Sequence, residues 1–125
     1  MKKVLLSLAF IIIANFIYSQ TSVTDIDGNV YKTVKIGNQV WMAENLKVTK
    51  YRNGDPIPFI TDSVAWTGLT TGAYCNYRND SAIAAIYGRM YNWYAVVDNR
   101  NVCPSGWRIP GDKEWAKLGK FLGGD

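Results

Sequence analysis

The feature that most limits the fold of this chain is the two-residue period at which apolar side chains recur between Val23 and Ala43. Over residues 30–36 the even-numbered and odd-numbered positions would face opposite sides of a strand. Gly37-Asn38 separates this segment from residues 39–43, which is the spacing of a tight hairpin. The sequence therefore predicts a small antiparallel sheet that opens the domain.

An earlier turn signal lies within residues 25–29, where acidic side chains alternate as they do in a calcium loop. A helix-loop-helix calcium site needs glycine at its sixth position and glutamate at its twelfth. Counted from Asp25, those positions hold Val30 and Ile36. A hairpin turn around Asp27-Gly28 is the favoured interpretation.

The N-terminus has the order of a secretory signal. Lys2 and Lys3 precede an apolar run over residues 4–17, and Tyr18-Ser19-Gln20 follows it. At about 1.5 Å per residue the run reaches only ~21 Å, which is less than the ~30 Å hydrocarbon core of a bilayer. We expect residues 1–20 to be a signal peptide, residues 21–125 to form a single domain, and no membrane span to remain after cleavage.

The remaining composition excludes several functions. Without Lys2 and Lys3, twelve basic residues face ten acidic residues, a net charge of +2, and no basic cluster suggests a nucleic-acid partner. Histidine is absent, which removes Ser-His-Asp and Cys-His catalysis and histidine-ligated metals. We expect no catalytic residues, no cofactor and no metal site.

The chain has two cysteines, Cys75 and Cys103. An oxidising compartment favours a disulfide between them, with two free thiols as the alternative. The bridge would close a loop of about 28 residues and stabilise the domain by about 3–4 kcal/mol.

Residues 45–80 are rich in turn signals, and such irregular segments often carry binding surfaces. Trp66, Tyr74 and Tyr77 lie here and are tentative ligand-binding residues, because aromatic faces stack on sugar rings. The alternative is that these side chains fill the core.

Two short helices are expected in the last third of the chain, one after Pro110 and one over residues 91–97, where a strand is the alternative because aromatic and β-branched residues lower helix propensity. In the helix after Pro110, Gly111 serves as N-cap and Asp112 and Glu114 favour the positive end of the helix dipole. An apolar stripe is predicted on this helix, made of Trp115, Leu118 and Leu122.

Four segments together resemble the Fibrobacter succinogenes major paralogous domain. They are residues 25–31 (DIDGNVY), 36–46 (IGNQVWMAENL), 87–96 (YGRMYNWYAV) and 101–110 (NVCPSGWRIP). The resemblance implies an α+β, C-type-lectin-like fold, distantly similar to the formylglycine-generating sulfatase-modifying domains. The family usually has threonine where this chain has Gly111, so the start of the last helix lacks a hydroxyl acceptor.

The same resemblance implies that family members continue well past residue 125, so the lectin-like fold is expected to be incomplete at the C-terminus. The sugar and calcium motifs of lectins, and the catalytic cysteines of the formylglycine-generating enzymes, belong to that later part and match no residue here.

The expected function is therefore that of an exported, non-catalytic binding module, secreted or located in the bacterial cell envelope. Its expected ligand is a carbohydrate or a cell-surface protein. Two alternatives remain, a sulfatase-modifying-type enzyme relative and a truncated gene product without independent function.

Overall fold

The computed structural model describes residues 22–124, so the proposed signal peptide and its cleavage site lie outside the described residues. The described chain is α+β, as expected. Its strands are β1 (Ser22–Thr24), β2 (Val30–Ile36), β3 (Gln39–Met42), β4 (Tyr74–Cys75) and β5 (Met90–Tyr91). Its helices are α1 (Ser63–Thr67), α2 (Ser81–Tyr87), α3 (Trp93–Val96) and α4 (Asp112–Phe121), with one 3-10 turn at Tyr77–Asn79.

The predicted hairpin is confirmed. β2 and β3 are antiparallel, and Ile36 pairs with Gln39, which leaves Gly37 and Asn38 as a two-residue loop. Gly37 has φ of +61°, while Asn38 keeps a negative φ, the pattern of a type II′ turn with glycine at its first central position. β1 pairs with the other side of β2, so the sheet order is β1-β2-β3.

The turn at residues 25–29 is also confirmed, because this segment connects Thr24 of β1 to Val30 of β2. The carboxylate of Asp25 accepts hydrogen bonds from the backbone N–H groups of Asp27 (3.0 Å) and Asn29 (2.9 Å). The Asp25 carboxylate therefore stabilises the turn by binding the backbone of the turn itself.

More helices form than the two that the sequence predicted. α1 and α2 were missed because their N-caps lie in the segment of residues 45–80 that was interpreted as turns. Asp62 accepts from Ala65 N–H (2.7 Å), and Asp80 accepts from Ala82 N–H (2.8 Å). The helix expected over residues 91–97 is shorter, since Tyr91 pairs with Tyr74 in the second sheet.

α4 begins after Gly111 as predicted, but its expected apolar stripe is not buried. Trp115 is 55 % exposed and Leu122 68 % exposed, and no residue of α4 is fully buried. The helix lies beside the hairpin through a Trp41–Trp115 ring contact, with centroids 5.0 Å apart.

The main core is built mostly from irregular chain. Its buried members are Val48, Tyr51, Ile57, Tyr74, Ala95, Val102 and Cys103, with Leu46, Tyr91 and Trp107 packed against them. Within residues 22–124, no helix has the length and apolar character needed to cross a bilayer.

Candidate ligand-binding groove

An open groove of about 420 Å³ lies between β3 and the segment that leads into α4. We call it the β3 groove. Its aromatic and apolar lining consists of Val40, Trp41, Met42, Leu46, Trp107, Ile109 and Pro110. Its polar lining includes Asn38, Gln39, Arg108, Glu114 and Lys117.

Arg52 fixes the loop that forms one wall of the groove. Its guanidinium donates hydrogen bonds to the carbonyl oxygens of Cys103 (3.0 Å), Pro104 (3.0 Å) and Trp107 (3.2 Å). The backbone N–H of Arg52 also donates to Asn101 O (2.8 Å). Three carbonyls held by one planar cation make this wall a preformed surface.

The hairpin and α4 are joined on the other side of the groove. Gln39 Nε2 donates to the carbonyl oxygen of Glu114 (3.3 Å), next to the Trp41–Trp115 contact. The indole Nε1–H of Trp41 is buried and has no hydrogen-bond partner among the residues that the structure describes.

An ion pair sets the charge at the rim. Arg108 Nη2 lies 2.6 Å from Glu114 Oε1, and Glu114 Oε2 accepts the N–H of Gly111 (2.9 Å), so the capping carboxylate is present although Gly111 offers no side-chain acceptor. The hydrogen bond from Arg108, followed by that from Gly111, lowers the pKa of Glu114 to about 2. Lys117 makes no ion pair with a described residue, so the groove carries an excess positive charge.

The three tentative ligand-binding aromatic residues lie elsewhere. Tyr74 is only 8 % exposed, belongs to the core and stacks on Phe59 (centroids 5.1 Å apart), which favours the core interpretation for this residue. Tyr77 is 53 % exposed on the 3-10 turn, and Trp66 is half-buried on α1. Trp66, Tyr74 and Tyr77 do not line the β3 groove.

Sequence reasoning missed the groove because its residues come from separate parts of the chain. Trp41, Trp107 and Ile109 lie in segments that carried the family resemblance, and Glu114 was interpreted only as a residue that favours the helix dipole. The sequence signal that could have indicated the groove is a tryptophan shortly after each of two turns. Trp41 follows Gly37-Asn38, and Trp107 follows Ser105-Gly106.

The predicted disulfide is not formed in the structure, where Cys75 and Cys103 are both free thiols. Cys103 belongs to the buried core, whereas Cys75 is partly exposed on β4. Burial raises the pKa of both thiols.

We expect both cysteines to remain free thiols, even in protein recovered from an oxidising compartment. Alkylation in denaturant without reductant, followed by mass measurement, should add two labels, as in a reduced control. In the native protein Cys75 should react before the buried Cys103, since the thiolate forms more readily where solvent reaches the sulfur. An unlabelled protein that gains two labels only after reduction would contradict the structure.

The fold and the groove define a small α+β domain with an open cavity at the edge of its sheet. The sequence model of the Fibrobacter succinogenes major domain matches residues 34–125, and the chain belongs to this family. The match begins within β2 and covers β3, the main core and both walls of the groove. No curated protein and no solved structure matches the chain.

Proposed function

We propose that the protein is an exported, non-catalytic binding module of the bacterial envelope or exterior, and that its ligand lies in the β3 groove. The observation that carries the proposal is the groove itself: about 420 Å³, lined by aromatic and apolar side chains, with a few charged groups at its rim. Ligand sites commonly combine a volume of about 300–1,000 Å³ with this kind of lining. The order of residues 1–20 supports export.

A cell-surface protein is the ligand that the groove favours. Its length along β3, its apolar floor and its mixed charges are suited to a polypeptide. A carbohydrate is the second candidate, because Trp41 and Trp107 both line the groove and indole faces stack on sugar rings. The lectin-like fold that the family resemblance implies favours this second ligand only by analogy.

An enzyme of the sulfatase-modifying type is less well supported. Such chemistry needs two cysteines in one site, whereas Cys103 lines the groove and Cys75 does not. The raised pKa of the Cys103 thiol also keeps the nucleophilic thiolate scarce at neutral pH.

The proposal predicts binding to envelope fragments of the producing bacterium that depends on the groove. Ile109→Glu replaces an apolar lining side chain by a carboxylate, which loses its hydration under a ligand, and should weaken retention about tenfold, a loss of about 1.4 kcal/mol. Ile86→Glu is the matched control, because Ile86 is exposed on α2 outside the groove. Protease treatment of the fragments should abolish retention, whereas periodate oxidation of their sugars should not.

If periodate oxidation abolished retention and protease treatment did not, the ligand would be a carbohydrate. Equal retention of the two variants, or none for the unmodified protein, would contradict the proposal. Export is measured separately by N-terminal sequencing of the envelope fraction, which should begin near Gln20 or Thr21; intact protein starting at Met1 in the cytosol would contradict it.

A further inference from the structure

Asn53 precedes a glycine in an exposed turn, whereas every other asparagine of the sequence precedes a residue with a side chain. The backbone nitrogen of a glycine is approached freely, because no Cβ atom shields it. A Cβ built on Gly54 would meet nothing within 4 Å in the described chain, so the surrounding space is open as well. Asn53 and Gly54 are both exposed, so water reaches the peptide bond between them.

Both polar atoms of the Asn53 side-chain amide are bound to Asp55. Asn53 Oδ1 accepts the backbone N–H of Asp55 (3.0 Å), and Asn53 Nδ2 donates to Asp55 Oδ2 (2.9 Å). The first hydrogen bond polarises the amide carbonyl, since the oxygen becomes negative when a nucleophile adds to Cγ. The second hydrogen bond holds the amide nitrogen and restricts rotation of the side chain.

Arg100 fixes the carboxylate that holds this amide nitrogen. Its Nη1 lies 3.1 Å from Asp55 Oδ2, and its guanidinium lies over the ring of Tyr51, 4.0 Å from the ring centroid. Asp98 accepts from Nε (2.9 Å) and Nη2 (2.7 Å) of the same guanidinium. The hydrogen bond from Asn53, followed by that from Arg100, lowers the pKa of Asp55, so this carboxyl group is charged at neutral pH.

We propose that Asn53 is a site of spontaneous covalent modification, at which the backbone nitrogen of Gly54 displaces ammonia from the side-chain amide and water completes the conversion to aspartate and isoaspartate. Asp55 is a positioning residue that, together with Arg100, restrains this reaction. The site is separate from the β3 groove, because Asn53, Gly54 and Asp55 do not line it.

The reaction needs water as its only co-reactant. The Gly54 nitrogen loses its proton to solvent and forms a bond to Asn53 Cγ, and the bond between Cγ and Nδ2 breaks. The leaving nitrogen takes up a proton and departs as ammonia, which leaves a five-membered succinimide ring. Water then opens the ring at either carbonyl, so one water is consumed for each ammonia released. One opening gives aspartate, and the other gives isoaspartate, in which the main chain runs through Cγ.

Two contacts of the folded turn oppose the first step. The N–H of Gly54 donates to Tyr51 O (2.9 Å), and this hydrogen bond must open before the nitrogen can attack. The Asp55 carboxylate holds Asn53 Nδ2, and its negative charge also disfavours removal of the Gly54 proton. The rate therefore depends on how firmly Asp55 is held, and Arg100 holds it through an ion pair.

The product changes the charge of the turn. A carboxylate at position 53 cannot donate to Asp55, so two like charges replace the hydrogen bond between Asn53 Nδ2 and Asp55 Oδ2. Positions 53 and 55 then compete with Asp98 for the guanidinium of Arg100. In isoaspartate the longer main chain also displaces Gly54 from its bond to Tyr51 O.

The test follows the purified protein in warm, mildly alkaline buffer by peptide mapping and mass measurement. The peptide that contains Asn53 should gain about 1 Da as its amide becomes a carboxyl group, and it should separate into two forms. Peptides that contain the other asparagines are the internal control and should keep their mass. A capped peptide of residues 50–57 should convert about tenfold faster than the protein, because it lacks the two restraining hydrogen bonds.

Three variants separate the roles of the residues. Gly54→Ala shields the attacking nitrogen with a Cβ atom and should slow conversion at least about tenfold. Asp55→Ala keeps the backbone N–H that polarises the carbonyl but frees Asn53 Nδ2, and it should speed conversion about threefold. Asp112→Ala is the matched control, because it removes an exposed carboxylate on α4 and should leave the rate unchanged.

The modification site is overturned if Asn53 stays intact in the protein while the capped peptide converts, or if another asparagine converts first. The restraint is overturned if the protein and the peptide convert equally fast, or if Asp55→Ala converts no faster than the unmodified protein. Retention on envelope fragments is a separate measurement, so the outcome for Asn53 leaves the proposed function untouched.

Discussion

Replacing Gly88 by alanine is expected to lower the free energy of unfolding by about 2–6 kcal/mol. Gly88 has φ of 84° and ψ of −173°, a region that residues with a Cβ atom essentially avoid. A Cβ built there lies 2.7 Å from Asn45 Cβ and 2.9 Å from Leu46 O. The second contact is with backbone, so a side-chain rotation cannot relieve it.

The clash matters because two chain segments meet at this point. Arg89 N–H donates to Leu46 O (3.0 Å), and Asn45 Nδ2 donates to Tyr87 O (2.9 Å). Moving Gly88 away breaks these bonds. Strain and overpacking each cost about 1–3 kcal/mol, and their sum approaches the lower end of the ~5–15 kcal/mol stability of a small domain.

Gly54→Ala is the matched control. Gly54 also has a positive φ, +95°, but a Cβ there meets nothing within 4 Å. This variant should lose only the conformational term of about 1 kcal/mol. Urea unfolding followed by tryptophan fluorescence measures both variants, and equal midpoints for Gly88→Ala and Gly54→Ala would show that the close approach at Gly88 has no energetic weight.

The parts of the fold that could be predicted from sequence are those set by local rules. The β2–β3 hairpin follows from alternation and from Gly37-Asn38, and α4 follows from its N-terminal acids and its period. α1 and α2 obey the same local chemistry, but an aspartate before a short segment serves equally as a turn residue or an N-cap. Asp62 and Asp80 therefore do not distinguish a turn from the start of a short helix by sequence alone.

The parts that could not be predicted depend on contacts between distant residues. Sequence shows that Trp115 belongs to an apolar stripe, but only the packing shows that most of the ring stays exposed beside Trp41. Sequence likewise does not show the environment of the cysteines, because only the fold places Cys103 in the buried core and Cys75 partly exposed on β4, both as free thiols. The groove also depends on distant contacts, because Gln39 and Glu114 are joined by a hydrogen bond although they are 75 positions apart in the sequence.

The turn at residues 25–29 was predicted as a turn, but its role in joining the sheet to the core was not. The carboxylate of Asp25 is 7 % exposed and accepts from Asn29 Nδ2 (2.8 Å) and from the hydroxyl of Tyr31, besides the two backbone groups already described. Tyr31 Oη in turn accepts the N–H of Lys47 (2.9 Å). Desolvation and the hydrogen bond to Asp25 raise the pKa of Tyr31 well above its usual value of 10, which keeps the phenol protonated as a donor.

Asp25→Ala is accordingly expected to lower the free energy of unfolding by at least about 3 kcal/mol, since each buried group left without a partner costs about 1–3 kcal/mol. Asp55→Ala is the control, because Asp55 is exposed and solvent screens its ion pair with Arg100 (3.1 Å), so the urea midpoint should change little. Adding Tyr31→Phe to Asp25→Ala should cost less than Tyr31→Phe costs alone, because the hydroxyl has already lost its acceptor. Additive losses in the urea midpoints of this double-mutant cycle would mean that the Asp25–Tyr31 contact does not join the hairpin to residue 47.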